Sequence, residues 1–541
     1  MKKSLIFWKT SSYAFAILLV LPILAIVYQS FGDTGDIFSH LLSTVLPTYV
    51  LNTFLLTFGV MVLSFLWGVP SAWLIAMCKL PGSKILQWAL VLPLAIPGYI
   101  VGYLYTEWFD FAGPIQITLR EVTGWSHHDY WFPDFRTIGG AAFVLSLVLY
   151  PYVYLLCRTA FMEQNTSILQ SARLLKCSLI RTFFSISLPL IRPSIAVALS
   201  LVAMETIGDF GTVNYFAVAT LTTAVYDTWL GMSNLSAAAK ISSLMLLMIL
   251  LLISAERYSR RRQKLYQSSS SKNEETKLVL TGYKKWCALI WCWGLVCLAF
   301  ILPLLQLIQY AYIYLEQSWT QEFQSYAMNS LKVSFFAAVV AVLVGLVVNF
   351  YQRLHGRVSS VIPIRLASLG YALPGTVLAI GILAPVTAID HVINDVAKWM
   401  EWGRPGLILS GTMVALIFAM VVRFSAVAIG SIESSLNKVP PSLDMAAQTM
   451  GYPANKMLLK IHWPLIQKGV LVAGLLVFME SMKELNAALL LRPFNFETLA
   501  TYVYNYASDE QLEVAAFPAI LLVITGLIPL IIVNRSMEKA H

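Results

Sequence analysis

Runs of apolar residues long enough to cross a lipid bilayer dominate this sequence of 541 residues. A membrane-spanning helix needs about 20 mainly apolar residues. Runs of this kind lie near residues 11–30, 51–77, 86–106, 138–160, 188–207, 236–255, 287–314, 329–350, 361–385, 406–430, 465–482 and 514–533. They are continuous rather than alternating, so they predict helices and not the strands of a membrane barrel.

The composition agrees with a lipid environment. Hydrophobic residues make up 58% of the chain and charged residues only 12%, with a mean hydropathy of +0.71. A soluble domain is usually about one quarter charged. This chain has too few polar residues to cover its apolar surface in water. We therefore predict an all-α integral membrane protein with about 12 transmembrane helices.

The distribution of basic residues predicts the orientation. With the N-terminus inside, the inner segments hold 27 lysines and arginines and the outer loops hold 6. Basic residues collect in cytoplasmic loops, so both termini of this multi-pass protein are predicted to lie in the cytoplasm. The net charge of +9 is explained in this way, and no nucleic-acid partner is expected. The outer loops carry 19 acidic residues, which are either solvated surface or an attraction for a cation or a basic partner.

The chain contains an internal repeat, whose two copies align at an offset of 275 to 277 residues. Pro97-Gly98 falls on Pro374-Gly375, and Met204-Glu205 falls on Met479-Glu480. We divide the chain into a first six-span repeat (1–255), a basic, serine-rich cytoplasmic linker (256–285) and a second six-span repeat (286–541). Both repeats start inside, which predicts two parallel halves related by an axis along the membrane normal, with a pathway between them.

One loop occurs in both halves with the same spacing, between the fourth and fifth spans. Small residues followed by a turn residue and a proline suit a short helix, a turn and a second short helix that could lie in a groove of another protein. In the first half the loop contains Gln170, Ser171, Ala172, Lys176 and Pro189, and in the second half Met445, Ala446, Ala447, Gly451 and Pro464.

This loop resembles the EAA loop of ABC importer permeases, in which Glu-Ala-Ala is followed by Gly, Ile and Leu-Pro at fixed distances. The second copy departs from the pattern at Met445 and Trp463, and the first at Gln170, Ser171 and Lys176, which suggests two unequal docking sites. The resemblance implies a type I ABC importer permease whose loops dock two copies of a cytoplasmic P-loop ATPase. The sequence contains no phosphate-binding G-x-x-x-x-G-K-[ST] motif, so the chain is predicted to be no enzyme and to bind no cofactor; ATP and Mg²⁺ are used by the partner subunit.

Two pairs of acidic residues mark the predicted pathway. Glu205 and Asp209 near the end of the fifth span correspond to Glu480 and Glu484 near the end of the eleventh. Residues four apart share a face if the helix continues, and hard oxygen ligands suit small, highly charged cations. These four acids are therefore candidate translocation or metal-contacting residues; the alternatives are ion pairs with a docking protein or polar helix ends.

A narrower resemblance concerns the cargo. The segments 204–229 and 479–516 are similar to those of fused ferric-iron ABC importer permeases. The resemblance implies Fe³⁺ as substrate, delivered by an extracytoplasmic binding protein. Related fused permeases handle thiamine, phosphonates and polyamines, which remain alternatives. A proton-coupled secondary transporter, with the four carboxylates as a proton relay, is a further alternative, although it does not explain the doubled loop.

His127 and His128 lie in the long outer loop together with Asp129 and Asp134. Adjacent histidines seldom chelate one ion together, and the loop also contains Trp125, Tyr130 and Trp131. Aromatic side chains of this kind favour the membrane interface, so we predict an interfacial aromatic belt rather than a metal centre.

Overall fold

The structure is a computed structural model that describes residues 2–126, 128–164, 177–260, 278–355 and 358–538. The described residues are almost entirely helical, which confirms the all-α class. The twelve principal helices are α1 (Lys2–Ser30), α2 (Leu46–Met77), α3 (Gly98–Phe109), α4 (Ile138–Met162), α5 (Arg192–Gly208), α6 (Leu235–Arg260), α7 (Tyr283–Val296, continuing to Ile313), α8 (Gln321–His355), α9 (Gly375–Trp399), α10 (Met413–Leu436), α11 (Trp463–Lys483) and α12 (Ala516–Glu538).

Length and composition support most of the predicted spans. Among the described residues, nine helices are long and apolar enough to cross a membrane, or up to eleven if two bent helix pairs each count as one span. The bends are 92° between Ser83–Ala95 and Gly98–Thr123, and 74° between Ile180–Leu190 and Arg192–Gly208. A proline lies in or shortly after each break, and proline cannot donate the hydrogen bond that would continue a helix. The last predicted span corresponds to a shorter apolar helix, Ala516–Ile532.

Several helices extend beyond their predicted bounds, such as α1 and α8, and two helices of the second half, α9 and α10, are shifted along the chain. α9 begins only at Gly375, after an extended Pro374, and it runs on to Trp399, whereas the sequence predicted a span ending near residue 385. α10 begins at Met413 rather than near residue 406. The side chain of Asp390 explains the second difference, because it accepts hydrogen bonds from the backbone amides of Leu409 and Ser410 at 2.8 Å each and fixes the segment before α10 as a loop.

The two halves interlock through their first helices. α1 packs against α9 of the second half, and α7 packs against α12 and also contacts α3 of the first half. Within the first half α2, α4 and α5 pack on one another, and within the second half α8, α10 and α11 do the same. Each repeat therefore keeps the same internal core, and its first helix also contacts the other half.

Matched hydrogen bonds repeat in the two halves. Asn52 Nδ2 donates to the Ala219 carbonyl at 3.0 Å, and Asn329 Nδ2 donates to the Glu497 carbonyl at 3.3 Å. A threonine capping box follows each of these carbonyls and begins a short helix, Leu221–Tyr226 in one half and Leu499–Ser508 in the other. Capping satisfies the free amides at the start of a helix, so the repeat extends to local hydrogen bonding.

The ends of the linker are also described. α6 runs to Arg260, and residues 261–277 lie outside the described part of the chain. Beyond them, β2 (Leu278–Val279) pairs in parallel with β1 (Cys78–Lys79), directly after α2. This pairing attaches the beginning of the second half to the end of the second helix of the first half.

Candidate functional site

The fifth helix of each half stops at an acidic residue. α5 ends at Gly208 and α11 ends at Lys483, and the following residues, Asp209 and Glu484, have extended backbones. The helices do not continue, so the members of each acidic pair do not share one helical face as a continuous helix would require. In the first half Gly208 and Gly211 indicate a helix end, whereas residues 475–492 of the second half contain no glycine or proline, so the sequence does not mark the break there.

The acid at each break supports the short helix that follows it. Asp209 Oδ1 accepts hydrogen bonds from the amides of Thr212 at 3.0 Å and Val213 at 3.1 Å. Glu484 Oε1 accepts one from the amide of Ala487 at 3.1 Å. Free amides at a helix start favour such an anionic acceptor. One acid of each pair, Asp209 or Glu484, therefore accepts hydrogen bonds from the amides at the start of the helix that follows the break.

The repeated Pro-Gly motifs pack against these breaks. A Cβ atom on Gly98 would lie 2.8 Å from Thr212 Oγ1, and one on Gly375 would lie 2.8 Å from Arg423 Nη1 and 2.9 Å from the Ala487 amide nitrogen. Glycine is needed where a side chain would meet another chain segment. The motif noticed in the sequence therefore lets the start of α3 and of α9 approach the break in the same half.

The two breaks meet across the boundary of the halves. Asn486 Nδ2, after the second break, donates to the carbonyl of Gly208 at the first break at 2.8 Å. Beside this contact lies a cavity of about 160 Å³, which we call the central cavity. Its charged and phenolic lining consists of Glu205, Asp209, Glu480, Glu484, Arg423, Lys483, Tyr99, Tyr152 and Tyr371. The structure thus brings together all four acids that the sequence singled out.

Arg423 is a charged residue of the cavity that was not predicted from the sequence. It lies within α10, and its Nη1 is 3.1 Å from Glu484 Oε1, with the two side chains 12% and 7% exposed. The repeat offset places it on Ser146, Leu147 or Val148, none of which is basic. The signal was available, because a lone arginine inside an apolar span is costly unless it has a partner.

Lys483 contributes a second positive charge from the same half. Its Nζ lies 3.6 Å from Glu480 Oε1 and donates to the carbonyl of Leu94 at 3.3 Å. The ion pairs therefore neutralise Glu484 and offset the charge of Glu480. Within the described ranges, no group of three or more His, Cys, Asp and Glu side chains is arranged to hold a metal ion.

The second copy of the repeated loop has the predicted helix, turn and helix. The first helix is Pro441–Thr449, Gly451 has a positive φ of +75°, and a second helix begins at Ala454 and leads through a π-helical turn into α11. Ala447 is buried, whereas Met445 and Met450 are 60% and 73% exposed. A positive φ favours glycine, which explains Gly451. Exposed methionines give this loop an adaptable apolar surface.

Asp444 fastens this loop to two other parts of the second half. Its carboxylate lies 2.6 Å from Arg353 Nε, at the end of α8, and 2.6 Å from His462 Nε2. Arg353 also donates to the carbonyl of Val439 at 2.7 Å, after α10. In the sequence Asp444 stands out only as a neighbour of Met445, because these partners are distant in the chain.

The first copy of the loop lies mostly beyond the described residues, since Gln170, Ser171, Ala172 and Lys176 fall within the gap at 165–176. Pro189 is described, in the short helix Leu188–Leu190 that follows the π-helical turn Phe183–Ser187. Pro464 occupies the matching position, just after the π-helical turn Leu458–His462. A π-helical turn before the proline is thus common to both halves.

The outer loop before α4 forms an aromatic cavity of about 420 Å³, lined by Phe109, Phe111, Trp131, Phe135 and neighbouring residues. Asp129 hydrogen-bonds Ser126, and Asp134 accepts from the amide of Arg136. His127 lies outside the described residues. The interfacial aromatic belt and the role of the two histidines both stay predictions.

A two-repeat helical membrane protein with a charged cavity between its halves has the architecture of a transport protein. Comparison with known proteins gives the family. The model of the family described as "Binding-protein-dependent transport system inner membrane component" matches residues 60–264. The chain is 25% identical over 495 residues, covering 90% of both chains, to the Fe(3+)-transport system permease protein FbpB 2 of Haemophilus influenzae.

Two further similarities concern other transporters. The chain is 30% identical to the molybdenum transport system permease protein ModB of Haemophilus influenzae over 160 residues, which are 29% of this chain and 67% of ModB. A crystal structure of a bacterial alginate ABC transporter in complex with an alginate pentasaccharide-bound periplasmic protein aligns with a TM-score of 0.39 and 18% identity, over 47% of this chain and 92% of that chain.

The chain therefore belongs to the family of binding-protein-dependent transport system inner membrane components, the permeases of ABC importers. It is an integral membrane protein of the inner membrane and a translocation subunit rather than an enzyme. The resemblance stated from the doubled loop is confirmed at the level of the family.

Proposed function

We propose that this permease carries ferric iron into the cytoplasm. The observation that carries the proposal is the charge of the central cavity, which is lined by four acidic and two basic side chains. After Arg423 is paired with Glu484 and Lys483 with Glu480, Glu205 and Asp209 leave the cavity with an excess of negative charge. A negative lining attracts a cation and repels an oxyanion. The similarity to FbpB 2 over 90% of the chain supports the same cargo.

A molybdenum oxyanion is the second candidate. Arg423 and Lys483 line the cavity, and the chain is also similar to ModB. For an oxyanion to pass, both basic side chains would have to leave their acidic partners and turn to the substrate. That exchange would leave Glu480 and Glu484 unpaired in a poorly hydrated site, which is costly. We therefore prefer the cation.

The partners follow from the same proposal. An extracytoplasmic binding protein would deliver the ion at the outer loops, including 207–236 and 481–513. Two copies of a P-loop ATPase would dock at segments 168–189 and 443–464, where the exposed Met445 and Met450 offer apolar contact area. ATP would be bound and hydrolysed by those subunits, and their closure would rock the two halves about the cavity. Both termini would lie in the cytoplasm, since the ATPase-docking loops carry the basic excess.

Reconstitution tests this proposal. The permease is purified together with its ATPase partner and placed in proteoliposomes with the binding protein. We expect ATP-dependent uptake of ⁵⁵Fe(III) and no uptake of labelled molybdate. Uptake of molybdate instead would select the second candidate. Uptake that needs a proton gradient and no ATPase would contradict the whole mechanism.

A further inference from the structure

We propose that Tyr152 and Tyr371 join Glu205 and Glu480 to form a four-oxygen transit site for ferric iron in the central cavity. Tyr152 lies in α4 of the first half, and Tyr371 lies in the 3₁₀ turn Leu369–Ala372 of the second half. All four side chains line the cavity. The inference rests on the proposed function and adds two ligands to it.

The four groups share one cavity wall. Glu205 and Tyr152 line the central cavity from the first half, and Glu480 and Tyr371 line it from the second half. Each half thus supplies one carboxylate and one phenol. A site of this composition would lie where the two halves meet, as alternating access about a fixed site requires.

Three of the four groups lack a hydrogen-bond or ion-pair partner among the described residues, although Arg423 lies near enough to act on their charge. Glu205, Tyr152 and Tyr371 make no hydrogen bond or ion pair with any residue that the structure describes. By contrast Tyr99, which lines the same cavity, donates to the carbonyl of Ala500 at 3.3 Å, and Tyr154, two residues along α4, donates to that of Gln87 at 3.2 Å. Polar groups inside a protein normally have partners. The oxygens of Glu205, Tyr152 and Tyr371 are part-exposed and open to the central cavity, so they are available to a ligand there.

The remaining acids of the cavity cannot complete the site. Asp209 and Glu484 accept backbone hydrogen bonds at the helix breaks, and Glu484 also binds Arg423. The acidic residues alone provide no metal-holding group among the described residues. Phenol oxygens are the other hard donors that line the cavity, and a hard trivalent ion prefers oxygen.

The charge of the occupied site favours a trivalent ion. Binding converts each phenol into a phenolate, and the two protons pass to water in the cavity. Fe³⁺ with two phenolates and two carboxylates carries one net negative charge. Lys483, at 3.6 Å from Glu480, is placed to balance it. A divalent ion with the same two phenolates and two carboxylates would carry two negative charges, and the second would have no partner in the apolar interior, which is unfavourable.

The repeat hides these tyrosines from sequence comparison. The offset places Tyr152 on Val427, Ala428 or Ile429, and it places Tyr371 on Leu94, Ala95 or Ile96. Neither tyrosine therefore has an aromatic counterpart in the other half. The two glutamates correspond in the repeat and the two tyrosines do not, so only the fold shows that all four residues line one cavity.

Absorption spectroscopy tests the site on the full-length chain in lipid nanodiscs. The probe is Fe(III) added as its nitrilotriacetate complex. Iron bound to phenolate gives a visible charge-transfer band that carboxylates and surface acids do not give. We expect this band in the wild type, its loss in Y152F/Y371F, and its retention in Y154F, the matched control on the same helix. Apparent Fe(III) affinity should fall by at least the roughly 10- to 100-fold that the loss of an outer-shell partner causes.

The outcomes separate the inference from the proposed function. Phenylalanine keeps the ring and removes a hydroxyl that has no partner, so the thermal unfolding of Y152F/Y371F should match the wild type. If the reconstituted importer takes up iron but shows no band, or if the band survives in Y152F/Y371F, the transit site is wrong and the iron importer stands. If the importer takes up no iron, the proposed function fails, and the site fails with it.

Discussion

Arg423 Nη1 lies 3.1 Å from Glu484 Oε1, and this ion pair joins the middle of α10 to the break at the end of α11. Both side chains are almost fully buried, and Glu484 also holds the amide of Ala487. The pair therefore fixes the wall of the central cavity from two separate helices. Because Arg423 and Glu484 neutralise each other, neither contributes a free charge to the lining of the central cavity.

Removing one partner of this pair should be more harmful than removing both. We expect R423M to lose about 3–5 kcal/mol of stability, because Glu484 would remain buried and unpaired. R423M/E484Q should recover much of that loss, although the glutamine caps Ala487 less well. Thermal unfolding of the purified variants in detergent measures both effects. Equal losses for the single and the double variant would show that the pair is not coupled.

Gly375 should tolerate no side chain. A Cβ there would lie 2.8 Å from Arg423 Nη1 and 2.9 Å from the Ala487 amide nitrogen. Overpacking of this kind costs about 1–3 kcal/mol, so G375A should unfold at a lower temperature and transport more slowly.

Gly430, in the adjacent α10, is the matched control, because a Cβ added there would meet no atom within 4 Å. G430A should be neutral or stabilising by up to about 1 kcal/mol, since alanine favours a helix. Equal behaviour of G375A and G430A would contradict the packing described for the break.

Asp444 should couple the docking loop to the membrane helices. D444N loses the charge that holds both Arg353 and His462 at 2.6 Å. We expect the permease to keep its fold but to transmit ATPase closure poorly, so that uptake falls more than ATP hydrolysis does. The ratio of the two rates in proteoliposomes is the measurement. D395N changes an exposed residue of α9 outside the docking segments, serves as the control and should leave the ratio unchanged.

Met450 tests the docking surface itself. It is 73% exposed, so M450D should leave the thermal stability of the permease within about 0.5 kcal/mol of the wild type. The new charge should nevertheless weaken co-purification of the ATPase, because it replaces an apolar contact with an ionised group that must be desolvated. V122D changes a residue that is 80% exposed in the outer helix Pro114–Thr123 and should not affect ATPase binding. ATPase binding by M450D at the wild-type level would place the docking surface elsewhere.

The sequence predicted the features that depend on local patterns. Apolar runs predict helices because the bilayer requires each span to satisfy its own backbone. The internal offset predicted matched contacts, and the two Pro-Gly motifs prove to lie at matched helix breaks. The helix, turn and helix of the segment 441–464 followed from small residues and from Gly451, whose positive φ is a local property.

The rest depends on long-range contacts. Arg423 was visible as a charge within a span, but its partner is 61 residues away and lies beyond a helix break that the composition does not mark. Tyr152 and Tyr371 have no counterpart in the other half, so the repeat gave no reason to choose them. The partners of Asp444 come from α8 and from the π-helical turn before α11. In each of these cases the fold, and not the local pattern, decides the neighbours.

Iron uptake by the variant E205Q/E480Q tests the central claim most directly. This variant removes the two matched carboxylates of the cavity and keeps their shape, while E322Q, an exposed residue at the start of α8, removes a carboxylate elsewhere. We predict that the rate of ATP-dependent ⁵⁵Fe(III) uptake in proteoliposomes falls at least about tenfold, which corresponds to an increase of about 1.4 kcal/mol in the activation free energy of transport. We expect E322Q to transport like the wild type. Unchanged iron uptake by E205Q/E480Q would contradict a cation pathway through the central cavity.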